Sequence, residues 1–520
     1  MKIKYFLTIT AISLLLCGCG NQEQPPVSMQ LPTETIATVQ PDKAQTDAPI
    51  TEATAQQTTT PTAESSTQPT QPTDSSGTES STPTQAPTEA PAPQLTLAPA
   101  PESTTESTPK PVAVATDAPA HVPDFTPAPT EQPGENSSQI ENSTDWYQHM
   151  IDSSILSTGS NGRLEKVIQK IQKGEDVSIM AFGGSITEGA GAMNFSYSYG
   201  EQFIFNLQET YTNSSIHYHN SGLGGTPSTL GLMRYERDVT EVIGGNPDLV
   251  IIEFAVNDYA EPTKGRAYES LVRTVLEKEN TPAVILLFSV FQSKWNLQDS
   301  YIPIGEHYGL PMVSIKDAIA TAYSSNHLTD AEYFADIYHP TNYGHEIMAD
   351  CLTELFEQVA SKDPTQPISP LPETDVYGAD FQGIRLITAK DNAGATVAPG
   401  SFTGQDKALQ SFSRTTKAAF PDNWQHSTDG GNESLRVELT CKNILLTYKY
   451  SSSLDFGKAS VYIDGNYITE LSGYLNGGWN NAETVLILDE DTSAPHVLEI
   501  KMSEGQENKK FTVLGIGYTP

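Results

Sequence analysis

The strongest limit on what this chain can fold into is a long stretch near its start that has almost nothing to fold with. Between positions 21 and 140 stand 21 Pro, 24 Thr and 11 Ser, with a single aromatic, Phe125. So little apolar surface cannot offset the entropy of ordering a backbone, and a disordered, partly polyproline-II stalk is expected. Its 2 Lys against 15 acids add self-repulsion. Fully stretched at roughly 3.1 Å per residue, about 120 such residues would reach on the order of 370 Å, enough to cross a thick cell wall. About 380 residues are left to fold, room for two ordinary domains, because single cores stop growing near 250–300 residues.

Ahead of the stalk, Lys2 and Lys4 precede an apolar run from Tyr5 to Leu16. The run is too short for a spanning helix and suits a secretory signal. It closes on Leu16-Cys17-Gly18-Cys19, which resembles a bacterial lipobox. That resemblance implies a signal peptide over 1–18 and an acylated Cys19 at the start of the mature chain; the Pro-, Thr- and Ser-rich composition makes 19–144 a linker. The alternative is a plain signal peptide cut nearby. Lipidation and stalk together predict attachment to the extracellular face of a Gram-positive cell membrane. Acidic residues number 64 and basic ones 29, a net charge of −35. Such a chain repels phosphate backbones and anionic headgroups, so nucleic acid is excluded as a partner and the membrane is met through the lipid anchor only. Two of the four cysteines fall within the first 19 residues, which excludes a disulfide-built scaffold.

Two folded parts are expected, over 145–362 and 373–520. In the first, Leu164, Val167, Ile168 and Ile171 recur at helical spacing, and helical patterns follow near 199–210, 265–278 and 342–361. Between them lie short, nearly continuous apolar runs at Val177–Phe182, Leu249–Phe254, Val284–Phe288 and Met312–Ile315. Strands alternating with helices predict an α/β fold, a doubly wound parallel sheet covered on both faces. The second part shows only short strand patterns, with Asp464-Gly465 as a hairpin turn between two of them, and predicts an antiparallel β-sandwich.

Four short motifs in the first part carry chemistry. The strand Val177–Phe182 stops at Gly183-Gly184 and delivers Ser185 to its carboxyl end, the edge where open α/β sheets bind ligands. Asp336-Ile337-Tyr338-His339 can set a base beside a nucleophile and a carboxylate beside the base. Ala255-Val256-Asn257-Asp258 ends another strand with an uncharged amide suited to an oxyanion. Asn220-Ser221-Gly222-Leu223-Gly224-Gly225 brings backbone N–H groups close, and its glycines admit a close approach.

In this order the four motifs resemble the SGNH, or GDSL-type, hydrolase family over about 165–360. The resemblance implies a three-layer α/β/α fold with no cofactor and no metal. It implies Ser185 as nucleophile, His339 as base, Asp336 as its orienter, and Ser185 N–H, Gly225 N–H and the Asn257 amide as the oxyanion hole. Gly224 competes with Gly225 for that role. Two departures stand out: Gly184 replaces the family's Asp, and Ala255 its Gly. Both are expected to be mild.

Other residues have plainer readings. His217 and His219 alternate on one strand but lack a third ligand at a usable spacing, so they argue for no metal. His345 is expected on the surface of the last helix or at its first turn. Most aromatics of the second part are expected in its core, with Trp479, flanked by glycines and asparagines, as a carbohydrate contact. The function predicted is a serine esterase removing acetyl groups from a polysaccharide or oligosaccharide. A lipid-directed esterase or lysophospholipase of the same fold, and a non-catalytic wall-binding lipoprotein, are the alternatives.

Overall fold

The computed structural model describes residues 145–362, 367–429 and 431–520; the expected signal peptide, Cys19 and the expected 19–144 linker lie outside them. The first part is built on a six-stranded sheet. Its strands are β1 (Ile155–Thr158), β2 (Asp176–Gly183), β3 (Ser215–Asn220), β4 (Leu249–Glu253), β5 (Ala283–Phe288) and β6 (Pro311–Ser314), in the order β1-β6-β5-β4-β2-β3. β2 to β6 run parallel, whereas β1 pairs antiparallel with β6, so the sheet is mixed rather than wholly parallel. β1 is four half-buried residues at an edge, too short and too little apolar to leave a sequence signal.

The strands are buried on both sides because alternate residues feed two cores. Ile179, Ala181, Ile251, Ile285 and Leu287 pack with the helices α1 (Asp145–Ser153), α2 (Arg163–Gln172), α4 (Tyr199–Thr210), α8 (Ile315–Ser324) and α9 (Asn342–Ala360). Met180, Phe182, Val250, Ile252 and Leu286 pack on the opposite face with α5 (Ser228–Tyr235), α6 (Arg266–Leu276) and α7 (Gln298–His307). A short helix, α3 (Ser185–Glu188), follows β2 directly at the sheet's carboxyl edge. β2 has β3 on one side and β4 on the other, so the order in which the chain adds strands reverses at β2, the kind of place where open α/β sheets bind ligands.

The second part is antiparallel β throughout, with strands β7 (Arg385–Ile387), β8 (Thr396–Ala398), β9 (Trp424–His426), β10 (Leu435–Ser451), β11 (Lys458–Ile463), β12 (Asn466–Ser472), β13 (Trp479–Met502) and β14 (Phe511–Thr519). β10 and β13 pair over nearly their whole length and belong to both layers. The start of β10 pairs with β8 and its later half with β14; the end of β13 pairs with β11. Val437, Val461 and Ile500 of one layer share a core with Leu446, Val513 and Ile516 of the other, which makes the doubled sheet a sandwich. Sequence pattern divides β10 and β13 into two strands each, because register shifts near Cys441 and Asn443 break the alternation. Cys441 lies buried inside β10. Asp464 and Gly465 form the β11–β12 hairpin with φ of +52° and +79°, the twist a two-residue turn requires.

The two parts share apolar surface. Leu445, on the face of β10 turned away from the sandwich core, packs into the α5–α6 side of the first core together with Phe381. Thr447 Oγ1 donates to Met233 Sδ of α5 at 3.5 Å. Buried Glu269 of α6 accepts from the main-chain N–H groups of Val376, Tyr377 and Gly378, at 2.7, 2.6 and 3.0 Å, and so ties down the connection.

Candidate active site

Ser185 is the first residue of α3, so its own N–H has no partner within that helix. Its Oγ lies 3.0 Å from His339 Nε2. His339 Nδ1 lies 2.9 Å from Asp336 Oδ2, which places the proton on Nδ1 and leaves Nε2 to accept from the serine hydroxyl. Asp336 Oδ1 also accepts from the main-chain N–H of Tyr338 at 2.7 Å and of His339 at 2.9 Å. Partial burial pushes the Asp336 carboxyl up, but these hydrogen bonds outweigh it and hold the group below the usual carboxylate range. The turn is closed by Ala335 N–H donating to the His339 carbonyl, and α9 begins three residues later, with Thr341 as its cap.

Around Ser185 three donors converge from three neighbouring strand ends: its own N–H after β2, the Gly224–Gly225 loop after β3, and Asn257 after β4. Among the described residues, no group accepts from the Ser185 N–H, the Gly225 N–H or the Asn257 amide NH₂. The Gly224 N–H, by contrast, already donates to Glu188 Oε2 at 3.0 Å, which separates the two competing glycines. Gly225 holds φ +64° and faces outward. Gly184 is not a neutral replacement. A Cβ at 184 would stand 2.2 Å from Asn257 Oδ1 and 2.8 Å from its Nδ2, so the amide occupies the space that the family's Asp needs.

A buried polar frame supports these groups from below. Arg234 of α5, fully buried, donates to the Gly183 carbonyl at 3.1 Å and the Ser221 carbonyl at 2.8 Å, joining the ends of β2 and β3. Burial lowers its guanidinium to about 10, still protonated at neutral pH. Thr187 Oγ1 donates to Glu253 Oε2 at 2.9 Å and lies 2.9 Å from Tyr199 OH. Burial pushes the Glu253 carboxyl up to about 7. Asp258, beside Asn257, accepts from Ser228 N–H at 2.7 Å and Tyr301 OH at 2.6 Å, and burial likewise raises it to about 7. His345 is wholly buried, contrary to its expected surface place. Its Nε2 lies 3.0 Å from the Ala190 carbonyl and its Nδ1 accepts from Tyr199 N–H at 3.3 Å, so it pins the loop after α3. Burial lowers its pKa to about 4. His345 in the first turn of α9 continues the buried face of Met348, Leu352, Leu355 and Val359, a period that extends back to it in the sequence.

The second part reaches the same site. The Trp479 indole, 53 % exposed, lies over the glycine loop, with Cζ2 3.3 Å from where a Cβ on Gly225 would stand. Ser413 donates to Glu188 through N–H at 2.8 Å and Oγ at 2.6 Å, and Gln410 Nε2 donates to the Gly224 carbonyl at 2.7 Å. On the His339 side a row of rings extends outward: Tyr338 and Phe291 at 5.1 Å, Phe291 and Trp295 at 5.9 Å, Trp295 and Tyr259 at 5.6 Å. Gln410, Ser413 and this row are distant in sequence from the motifs, and only the fold gathers them. Among the described residues no group of three His, Cys, Asp or Glu is placed to hold a metal ion, and no helix is long and apolar enough to cross a membrane.

A serine hydroxyl on an imidazole held by a carboxylate, beside unoccupied N–H donors, can attack an ester carbonyl and stabilise the oxyanion. Known proteins agree with this chemistry. Residues 181–347 match the model of the GDSL-like Lipase/Acylhydrolase family. A two-domain esterase (CEX) active on acetylated mannans is 27 % identical, with a TM-score of 0.62, over 71 % of this chain and 99 % of that one. The same esterase co-crystallised with mannopentaose gives 26 % identity and a TM-score of 0.62 over 71 % and 98 %. No curated protein matches the chain. Residues 181–347, Ser185, Asn257, Asp336 and His339 among them, are thus similar to the GDSL-like acylhydrolases, and the chain is a carboxylic ester hydrolase.

Proposed function

We propose that this chain is a serine esterase that removes acetyl groups from polysaccharide hydroxyls. The observation that carries the reading is the relay Asp336–His339–Ser185, with contacts of 2.9 and 3.0 Å, at the sheet edge where three N–H donors have no acceptor among the described residues. Ser185 Oγ attacks the ester carbonyl as His339 Nε2 takes its proton. The oxyanion is met by Ser185 N–H, Gly225 N–H and the Asn257 amide. His339 then returns the proton to the departing sugar hydroxyl, leaving an acetyl-enzyme. Water, activated by the same imidazole, releases acetate.

The polysaccharide preference is supported by the likeness, over both domains, to an esterase active on acetylated mannans. Exposed Trp479 on one side of Ser185, and the Tyr338–Tyr259 row on the other, offer flat apolar faces of the kind on which sugar rings stack. With acylated Cys19 and the stalk, the enzyme would work outside the cell on polymer passing its surface. The test is acetate release from a panel of acetylated mannans, xylans and envelope polymers. Release by the parent chain and none by Ser185→Ala is expected; equal release by both would refute the assignment.

A further inference from the structure

Gly224 is held at both ends by side chains. Its N–H donates to Glu188, whose other carboxylate oxygen is taken by Ser413 of the second domain. Its carbonyl accepts from Gln410 Nε2 at 2.7 Å. Gln410 is buried and is itself fixed: Oε1 accepts from Ala482 N–H at 3.2 Å, and its main-chain N–H donates to the Asn480 carbonyl at 3.2 Å. The amide therefore presents its NH₂ to Gly224 from a rigid seat on the start of β13.

The Gly224 carbonyl and the Gly225 N–H are opposite ends of one planar trans peptide. A grip on the oxygen aims the hydrogen the other way. Both flanking residues are glycine and Gly225 sits at φ +64°, so no side chain resists rotation of this peptide. Its orientation has to come from hydrogen bonds, and the bond to its carbonyl comes from Gln410. A donor on the carbonyl also polarises the amide and strengthens its N–H as a donor.

We infer that Gln410, supplied by the sandwich domain, is a positioning residue for catalysis: it sets the Gly224–Gly225 peptide so that the Gly225 N–H meets the oxyanion. The inference rests on the esterase reading and on Gly225 as a donor within it. It makes the second domain part of the catalytic apparatus and not only a glycan carrier.

The test compares the parent chain with Gln410→Met, which keeps length and volume but cannot donate, and with Asp489→Asn. The latter weakens an ion pair between the domains, to Arg266 at 2.5 and 3.0 Å, without touching the glycine loop. With 4-nitrophenyl acetate, Gln410→Met is expected to lose about 10- to 100-fold in kcat with KM within twofold. That is less than the roughly 10²–10³ lost when an oxyanion donor is removed outright. Asp489→Asn is expected to keep the parent kcat. Unchanged kcat in Gln410→Met, or an equal loss in Asp489→Asn, would overturn the inference.

Should Gln410→Met fail to fold, Gln410→Glu gives a second reading, because a protonated carboxyl can donate to Gly224 and a carboxylate cannot. Its kcat relative to the parent is expected to rise as pH falls; a ratio flat with pH would overturn the role. An inactive parent chain would refute the esterase reading, whereas an active parent with an unaffected Gln410→Met refutes only this inference.

Discussion

Placing a methyl group on Gly184 separates the geometry of the site from the stability of the fold. In Gly184→Ala the new Cβ would stand 2.2 Å from Asn257 Oδ1, 2.7 Å from its Cγ and 2.8 Å from its Nδ2. Ordinary contact begins near 3.5 Å, so the amide has to retreat by about 1 Å. The displaced atoms are the end of a side chain, so the fold gives way cheaply and Tm is expected to change little. Function does not give way cheaply, since a 1 Å misplacement can cost about 10²-fold. The ceiling is complete loss of one oxyanion donor, roughly 10²–10³ in kcat or about 2.7–4 kcal/mol. Gly184→Ala is therefore expected to lower kcat on 4-nitrophenyl acetate by about 10²-fold with KM unchanged. Removing the obstructed amide removes the conflict, so Gly184→Ala/Asn257→Ala is expected to match Asn257→Ala alone. A double variant whose loss is the product of the two single losses would refute the steric reasoning. So would a fully active Gly184→Ala.

Four further outcomes follow from the site. Ser185→Ala and His339→Ala are each expected to abolish turnover in a folded chain, and Asp336→Asn to cost up to roughly 10⁴-fold by favouring the wrong tautomer of His339; circular dichroism with steady-state rates checks all three. Trp479→Ala is expected to raise KM severalfold for acetylated polysaccharide while leaving 4-nitrophenyl acetate unaffected, and a parallel loss on both substrates would argue against a sugar contact. kcat/KM is expected to fall from 4-nitrophenyl acetate to the octanoate; a rise would point to a lipid substrate, each buried CH₂ adding up to about 0.8 kcal/mol. His345, lowered to about 4 from an ordinary 6.5, takes its proton more readily unfolded than folded. The stability it contributes is present above pH 6.5 and lost as pH falls toward 4, by up to about 3 kcal/mol. Urea titrations from pH 7 to 4 are expected to show a steeper decline for the parent than for His345→Gln.

The sheet of the first domain is legible in the sequence because its strands are buried on both faces. Runs such as Leu249–Ile252 and Ala283–Phe288 are apolar throughout and sit between helical periods. The residues that meet at Ser185 are legible for a related reason: each lies within a few positions of a strand end or a helix start, where local pattern still marks place. What escapes has no such marker. β1 is a half-exposed edge strand, and α7 carries Pro303 inside it, against its helical pattern. β10 and β13 look like four strands because their bulges reset a period of two. Gly184 reads as harmless in the sequence because its neighbour Asn257 comes from another strand end. Gln410 lies in irregular chain, and its burial and its bond to Gly224 both depend on a docking that no local window contains.

Leu445 and Phe381, seated in the first domain's core, bear on how such a protein can be inherited or rebuilt. Many carbohydrate-active enzymes are strings of beads whose binding beads can be swapped. Here the bead boundary runs through an apolar core, so a foreign sandwich grafted after residue 372 would leave the flank of α5 and α6 wet. The unit that recombination can move intact is the pair.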